Sequence, residues 1–339
     1  MKKGYRVAVL GATGAVGMEF LRLFESREFP VDDLRLLASE RSAGKNVRFR
    51  GEDHTIQAVT AEQFRGVDIA FFSAGASRSR EFLPAALEAG ALVIDNSSAF
   101  RLDDDVPLVV PEVNFDAIAL RHRLIANPNC TAAILLMAVH PLRQLGDIDR
   151  VIVSTYQSAS GAGAAAMREL EDQTRDVLEG RPAQPKVMPH PYAFNLFSHN
   201  TPIADDGFND EERKVIAESR KMLGLPDLKM NVTCVRVPVM RAHSESVTIE
   251  FRGQAPSEED VRRILAEAPG VRVVDDRAGN HFPMPIEASG QDDVLVGRIR
   301  RDPSHPSAIA LFIAGDQLLK GAALNAIQIA EYMIAAGRV

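Results

Sequence analysis

Cysteine is scarce in this chain. Only Cys130 and Cys234 occur in 339 residues, far apart in sequence. Two thiols make no disulfide framework, and without a histidine pair at ligand spacing they suggest no metal site. Long apolar runs are missing too. The opening Met1-Lys2-Lys3-Gly4-Tyr5-Arg6 leads into only Val7-Ala8-Val9-Leu10, too short for the core of a signal peptide. No stretch approaches the roughly 18 apolar residues of a membrane span. With no sign of export, the thiols point to a reducing, cytoplasmic setting, and the sequons at Asn96, Asn129 and Asn231 read as chance matches. A basic tail is also absent. The net charge of −7 is spread over mixed acids and bases, which argues against nucleic acid or an anionic membrane as partner.

What is present fits a soluble globular protein: 46% hydrophobic and 25% charged residues, over a length that suits two domains. The first half alternates short apolar runs with helical patterns. Val7–Leu10 reads as a strand, followed by a glycine-rich turn and a helix to about Ser26. Arg35–Ala38, Asp68–Phe72 and Ala91–Asp95 read as further strands, and Phe82–Ala89 as a helix stopped by Gly90. This repetition predicts a parallel sheet with helices on both faces. After Cys130 the strands lengthen and alternate: Val151–Thr155, Val232–Val239, Ser246–Phe251, Val294–Arg300 and Ala308–Ala314, with helices at Ala165–Leu178 and Asp210–Leu223. The expected fold is therefore α/β. A Rossmann-type dinucleotide-binding domain (1–129 and 317–339) joins an α+β domain (130–316) with a mixed, largely antiparallel sheet.

Gly11-Ala12-Thr13-Gly14-Ala15-Val16-Gly17 follows the first strand and opens the first helix. Glycines there let backbone N–H groups approach a pyrophosphate at a helix N-terminus. At the end of the second strand, Ser39, Arg41 and Ser42 suit the 2′-phosphate of NADP, while Glu40 could hold the ribose of NAD. NADP is favoured. Ser73-Ala74-Gly75 closes another strand at the same carboxyl edge, where small residues let a cofactor pass.

Cys130 sits in Asn127-Pro128-Asn129-Cys130, just before an apolar helical stretch. The first turn of a helix offers unpaired N–H groups and the positive end of its dipole, which favour a thiolate. Position alone leaves two readings open, a nucleophile or a small buried cap residue. A nucleophile needs a base, and His243 stands out among eight histidines, in a strand-flanking loop. Arg236, flanked by Val235 and Val237, should point away from their packing face and needs an anion. Gln157 ends a strand at a glycine-rich turn. Cys234 reads as a packed small residue.

Taken together the chain resembles aspartate-β-semialdehyde dehydrogenase. The resemblance is carried by GATGAVG at Gly11–Gly17, LASERSAGK at Leu37–Lys45, DNSSAFR at Asp95–Arg101 and NPNC at Asn127–Cys130. It continues through YQSASGAG at Tyr156–Gly163, EERK at Glu211–Lys214, CVRVPVMRAHSES at Cys234–Ser246, VGRIRRD at Val296–Asp302 and LLKGAALNA at Leu318–Ala326. It implies Cys130 as nucleophile, His243 as general acid/base, and Gln157 as the residue that orients the acyl group. Arg236 would clamp the substrate carboxylate and Glu211 its amino group, with Arg101, Lys214 and Asn129 around phosphate. Cofactor contacts would include Gly11, Thr13, Gly14, Ala15, Val16, Gly17, Ser39, Arg41, Ser42, Ser73, Ala74, Gly75, Ser160, Gly161 and Asn325. Homodimers, or dimers of dimers, built through the second domain are implied as well.

The implied reaction is NADPH-dependent reductive dephosphorylation of L-aspartyl 4-phosphate through a Cys130 thioester, serving lysine, threonine and methionine synthesis. His243 would accept the thiol proton and return one to the leaving oxygen. Two alternatives share the framework: N-acetyl-γ-glutamyl-phosphate reductase, and a catalytically silent dinucleotide-binding homologue. Asn129 before the cysteine, with Glu211 for an amine, favours the aspartyl substrate.

Overall fold

The computed structural model describes residues 4–339. The chain forms two compact units: one runs to Asn129 and resumes at Ala322–Val339, the other is Cys130–Gly321. Among the described residues no helix is long and apolar enough to cross a membrane.

The first unit opens with β1 (Tyr5–Leu10), α1 (Ala15–Ser26) and β2 (Val31–Ala38). A hairpin follows, β3 (Asn46–Phe49) and β4 (Glu52–Thr55), then β5 (Gln57–Ala58), β6 (Ile69–Phe72), α2 (Ala76–Glu88), β7 (Leu92–Asp95), α3 (Pro111–Asn114) and β8 (Leu124–Ala126). Its six strands are ordered β5-β2-β1-β6-β7-β8, and every pairing between them is parallel. Val7, Val9, Ile69, Phe71, Val93 and Ile94 are fully buried, as strands covered on both faces require. The chain leaves β1 towards β2 on one side and β6 on the other. The turns after β1 and β6 therefore flank a topological switch point, where open sheets bind ligands. The last helix, Leu324–Ala335, packs against α1, α3 and β7 in this same unit.

β2 begins four residues before the Arg35 expected from the sequence, because Val31 and Asp33 pair with Tyr5 and Arg6 despite their exposed polar neighbours. The β3–β4 hairpin was not expected. Its Arg50-Gly51 turn has both φ angles positive (50° and 81°), a conformation for which arginine carries little sequence signal.

The second unit starts with α4 (Cys130–Leu142), then β9 (Ile148–Gln157), α5 (Ala164–Leu178), β10 (Phe197–Ser198), α6 (Asp210–Leu223), β11 (Lys229–Arg236) and β12 (His243–Phe251). It ends with α7 (Glu258–Glu267), β13 (Val271–Val273), α8 (Pro285–Ala288), β14 (Val294–Arg301) and β15 (Ala308–Gly315). The sheet order is β10-β11-β9-β12-β15-β14-β13, with β11–β9 and β13–β14 parallel and the other neighbours antiparallel. The mixed, largely antiparallel sheet is as expected. α4 is apolar all round, Thr131 to Val139 being buried without a break, so it is a core helix between the sheet and the helices α6 and α7.

Candidate active site

In the first unit the Gly11–Gly17 turn is shaped by close approach. Gly11 has φ +95°, and a Cβ there would lie 2.3 Å from the carbonyl oxygen of Ser73. A Cβ on Gly17 would lie 2.3 Å from Gly11 O, so α1 seats directly on the turn that precedes it. Gly11, Thr13, Gly14, Ser39, Ser73 and Ala74 line a cavity of about 350 Å³, with Arg78 of α2 beside them. Arg78 was not foreseen, and its place one turn into α2 gives the cavity a cation. Ser42 is buried and shares a 3.5 Å hydrogen bond with Thr13, and Arg41 is exposed on the same short turn; neither lines the cavity. Asn325 is fully buried. Its amide donates to Val109 O at 2.9 Å and Asn127 Oδ1 at 2.6 Å, while its own Oδ1 has no partner. A cavity edged by bare backbone, hydroxyls and a cation fits a nicotinamide dinucleotide. Arg101 is also buried in this unit, donating to Asn127 O at 2.8 Å and Asn96 O at 2.7 Å. Asn129 is the buried last residue before the second unit.

Cys130 is the first residue of α4, a partly exposed thiol at the end where the helix dipole is positive. A five-residue π turn, Leu319–Ala323, passes it so closely that a Cβ on Gly321 would lie 2.7 Å from Cys130 Cβ. Such turns recur at functional sites. Gln157 ends β9, directly beside Arg236 in the parallel β9–β11 register. It is buried rather than exposed on a turn, and its amide donates to Glu211 Oε1 at 3.2 Å while Thr155 donates to its oxygen at 3.1 Å. Glu211 stands in the first turn of α6. The start of α6 is fixed by a capping box between Asn209 and Glu212, with N–H to carboxylate and side-chain oxygen distances of 2.9 and 3.0 Å. Lys214, one turn on, is 3.8 Å from Glu211.

Arg236, the last residue of β11, is 4% exposed and held from three sides. It donates from Nε to Asn200 Oδ1 at 3.2 Å, from Nη1 to Ser158 O at 3.0 Å and from Nη2 to His199 Nε2 at 2.8 Å. His199 is buried, and burial with the nearby Arg236 cation pushes its pKa down to about 4, against the pull of Glu211. His243 does not lie in a loop, as the sequence suggested. It is the first residue of β12 and fully buried. The proline- and arginine-containing stretch before it masks the alternation, and Ala242 enters the strand through a left-handed φ of +69°, its N–H held by Gln317 Oε1 at 3.0 Å. Nδ1 of His243 accepts from the Ser158 N–H at 3.0 Å. Burial foremost, then Arg236, lowers its pKa to about 3. Gly161 is exposed to solvent yet sits against both groups: a Cβ there would be 2.9 Å from the His243 ring and 3.1 Å from Arg236 Nη1. An imidazole and a guanidinium thus pack against the same stretch of bare backbone. Gln157, Glu211 and Lys214 are linked to the same strand ends.

Comparison with known proteins gives this arrangement a family. A family model described as the NAD binding domain of semialdehyde dehydrogenase matches residues 6–121, and the corresponding dimerisation domain matches residues 139–320. An aspartate-semialdehyde dehydrogenase from Synechocystis is 52% identical over 337 residues, 99% of each chain. The chain belongs to the aspartate-semialdehyde dehydrogenase family. Its fold is also similar to the crystal structure of aspartate semialdehyde dehydrogenase II from Vibrio cholerae complexed with ASA. That match has a TM-score of 0.94 and 44% identity, and covers 98% of this chain and 99% of that one. The enzyme from Candida albicans, solved with NADP, matches with a TM-score of 0.77 at 25% identity, covering 99% of this chain and 100% of that one.

Ser160 and Gly161, which the resemblance gives to the cofactor, lie in the second unit. There Ser160 is buried in a hydroxyl–amide chain with Ser158 and Gln317, and Gly161 borders His243 and Arg236. His199 and Asn200 were not foreseen, and neither offers a periodic signal in the polar run after β10. Cys234 is the packed thiol expected from the sequence, fully buried and with its pKa pushed up by burial and by Glu211, Glu212 and Glu245, partly offset by Thr155.

Proposed function

We propose that this chain catalyses the NADPH-dependent reductive dephosphorylation of L-aspartyl 4-phosphate to L-aspartate 4-semialdehyde through a thioester on Cys130. The observation that carries the reading is the close packing of the buried imidazole of His243 and the buried guanidinium of Arg236 against the same bare backbone at Gly161. A planar guanidinium in a fixed frame suits a carboxylate, and Glu211, linked to Gln157, suits the substrate amine. Lys214 meets the phosphate, and the family resemblance gives Arg101 and Asn129 to the same group.

Cys130 attacks the acyl carbon as thiolate, favoured at the start of α4, and phosphate leaves. Gln157, on the same strand end as Arg236, orients the acyl group. His243 presents Nε2 towards the reacting carbonyl. Bound nicotinamide supplies the hydride that reduces the thioester. NADP is preferred over NAD because Thr13, Ser39 and Arg78 bring hydroxyls and a cation to the nucleotide cavity, with Ser42 hydrogen-bonded to Thr13 behind them. The Candida relative solved with NADP supports the same choice. The ASA complex of the Vibrio relative and the 52% identity to the Synechocystis enzyme support the substrate. Residues 1–129 with 317–339 are assigned to the cofactor and 130–316 to catalysis and pairing. The assembly is a homodimer or a dimer of dimers, for which the matched dimerisation domain supports pairing, and it works in the cytoplasm.

The deciding assay runs the reaction backwards. Aspartate semialdehyde and inorganic phosphate should reduce NADP⁺, and NAD⁺ more slowly. Reduction with N-acetylglutamate semialdehyde instead, or with neither aldehyde, would sink the reading.

A further inference from the structure

We propose that Asp316 is a positioning residue for this reaction. Its carboxylate ties Arg241, at the entry to the His243 strand, to the turn that passes Cys130, and so keeps the two catalytic groups in one frame. The inference rests on the function proposed above, which needs Cys130 and His243 to meet one carbonyl.

The place of Asp316 in the fold suits this role. It follows Gly315, the last residue of β15. Gly315 pairs with His243 in the β12–β15 register. A Cβ on Gly315 would lie 3.0 Å from Ile134, one turn into α4, the helix that opens with Cys130. The end of β15 thus touches both the strand of the histidine and the helix of the cysteine.

From there Asp316 reaches in two directions. Towards the cysteine it starts the turn. Its Oδ1 accepts from the Leu318 N–H at 2.9 Å, and its backbone carbonyl accepts from the N–H groups of Leu319 at 3.1 Å and Gly321 at 3.2 Å. Gly321 is the residue whose Cβ would lie 2.7 Å from Cys130 Cβ, so the path of this turn decides how much room the thiol has. Towards the histidine, Oδ2 accepts from Arg241 Nε and from the Gly290 N–H, each at 2.6 Å. Arg241 stands two residues before His243, and the Ser289 hydroxyl donates to its carbonyl at 3.3 Å. Ala242, between them, holds a left-handed φ of +69°, a conformation that persists only where its neighbours are fixed.

A carboxylate is the group this junction calls for. Asp316 is buried, and its two oxygens meet three donors, from Arg241, Gly290 and Leu318. An ionised carboxylate only accepts, and hydrogen bonds to it are short and strong. An amide of the same shape would turn an NH₂ group against at least one of those donors. The junction would then loosen on the side of the turn, of Arg241, or of both. A shift of about 1 Å in a catalytic group can cost about a hundredfold in rate. The expected signature is a loss in kcat rather than in binding.

The test compares the full-length wild type with Asp316→Asn, Arg241→Gln, Arg241→Lys and the double variant of Asp316→Asn with Arg241→Gln. In the oxidation of aspartate semialdehyde, Asp316→Asn should lose about a hundredfold in kcat, with NADP⁺ affinity by calorimetry unchanged. Arg241→Lys, which keeps the charge, should be faster than Arg241→Gln. The double variant should be no slower than the slower single one, because both changes open one clamp. Losses that multiply would show two independent effects and overturn the pairing. Without any substrate, iodoacetamide should alkylate Cys130 several times faster in Asp316→Asn than in the wild type, while Cys234 stays protected. An unchanged rate at Cys130, or labelling of Cys234 as well, overturns the proposal. The first would show that the turn does not depend on Asp316, the second that the whole unit has loosened. If Asp316→Asn does not fold, Arg241→Gln decides, since that side chain is 25% exposed and its loss is the milder one. A kcat close to that of the wild type in Arg241→Gln then overturns the proposal. Labelling needs no turnover, so its failure leaves the proposed activity to stand or fall by its own assay.

Discussion

Arg236 and His199 are joined by a 2.8 Å hydrogen bond in which the neutral imidazole accepts from Nη2 of the guanidinium. With Asn200 on Nε and the Ser158 carbonyl on Nη1, it fixes the plane of the group proposed to grip the substrate carboxylate. A hydrogen bond to a charged group is worth about 1.5–3 kcal/mol. His199→Leu should therefore raise KM for aspartate semialdehyde about tenfold or more, with little change in kcat or in KM for NADP⁺. His199→Gln, which keeps an acceptor, should recover much of the loss. Equal effects on both substrates would point to a general structural defect.

Gly161 sits where no side chain fits between His243 and Arg236. A Cβ within 2.9 Å of the His243 ring and 3.1 Å of Arg236 must displace one of them. A misplacement of about 1 Å at a catalytic group can cost about a hundredfold in rate. Gly161→Ala should lose roughly that much kcat/KM with an unchanged circular dichroism spectrum. Near-normal turnover would place the reacting carbonyl elsewhere.

The two cysteines should separate cleanly. Cys130→Ala is expected to abolish turnover while NADP⁺ still binds, measured by fluorescence or calorimetry. Iodoacetamide should label Cys130 rapidly and leave Cys234, which is fully buried with its thiol pushed up, untouched in the folded protein. Residual turnover in the alanine variant would exclude the covalent path.

Glu245 lies on the same face of β12 as His243, fully buried, with neither carboxyl oxygen bonded. Burial alone raises its pKa well above the ordinary carboxylate range. Folding above pH 4.5 thus draws in a proton. Its contribution is most favourable below that pH and declines as pH climbs towards the raised folded value. Each unit of elevation corresponds to about 1.4 kcal/mol. Urea unfolding of Glu245→Gln should show a flatter fall in stability from pH 5 to 8 than the wild type. Parallel curves would mean that the carboxyl finds a partner in solution.

The parts readable from the sequence were those set by local pattern. The glycine turn between β1 and α1 was one. Another was the apolar helix that begins at Cys130, and a third was α6, expected and found over Asp210–Leu223. What could not be read depends on which strands become neighbours. Gln157 meets Arg236 only because β9 and β11 pair in parallel, and His243 meets Ser158 only because β12 starts where the β9 turn ends. His199 has no local pattern at all. Its partner lies on another strand, and its role follows from the direction of one hydrogen bond.

The first unit holds both the opening strand and the closing helix, with Asn325 bonded to Val109 and Asn127. Residues 322–339 leave the ribosome only after every residue of the second unit. The unit proposed to bind dinucleotide is thus started first and completed last, and its sheet waits during translation for the helix that seals it. The catalytic half, by contrast, is one uninterrupted stretch that can fold as soon as Gly321 emerges. During synthesis the thiol can reach its native helix before the unit with the nucleotide cavity is finished.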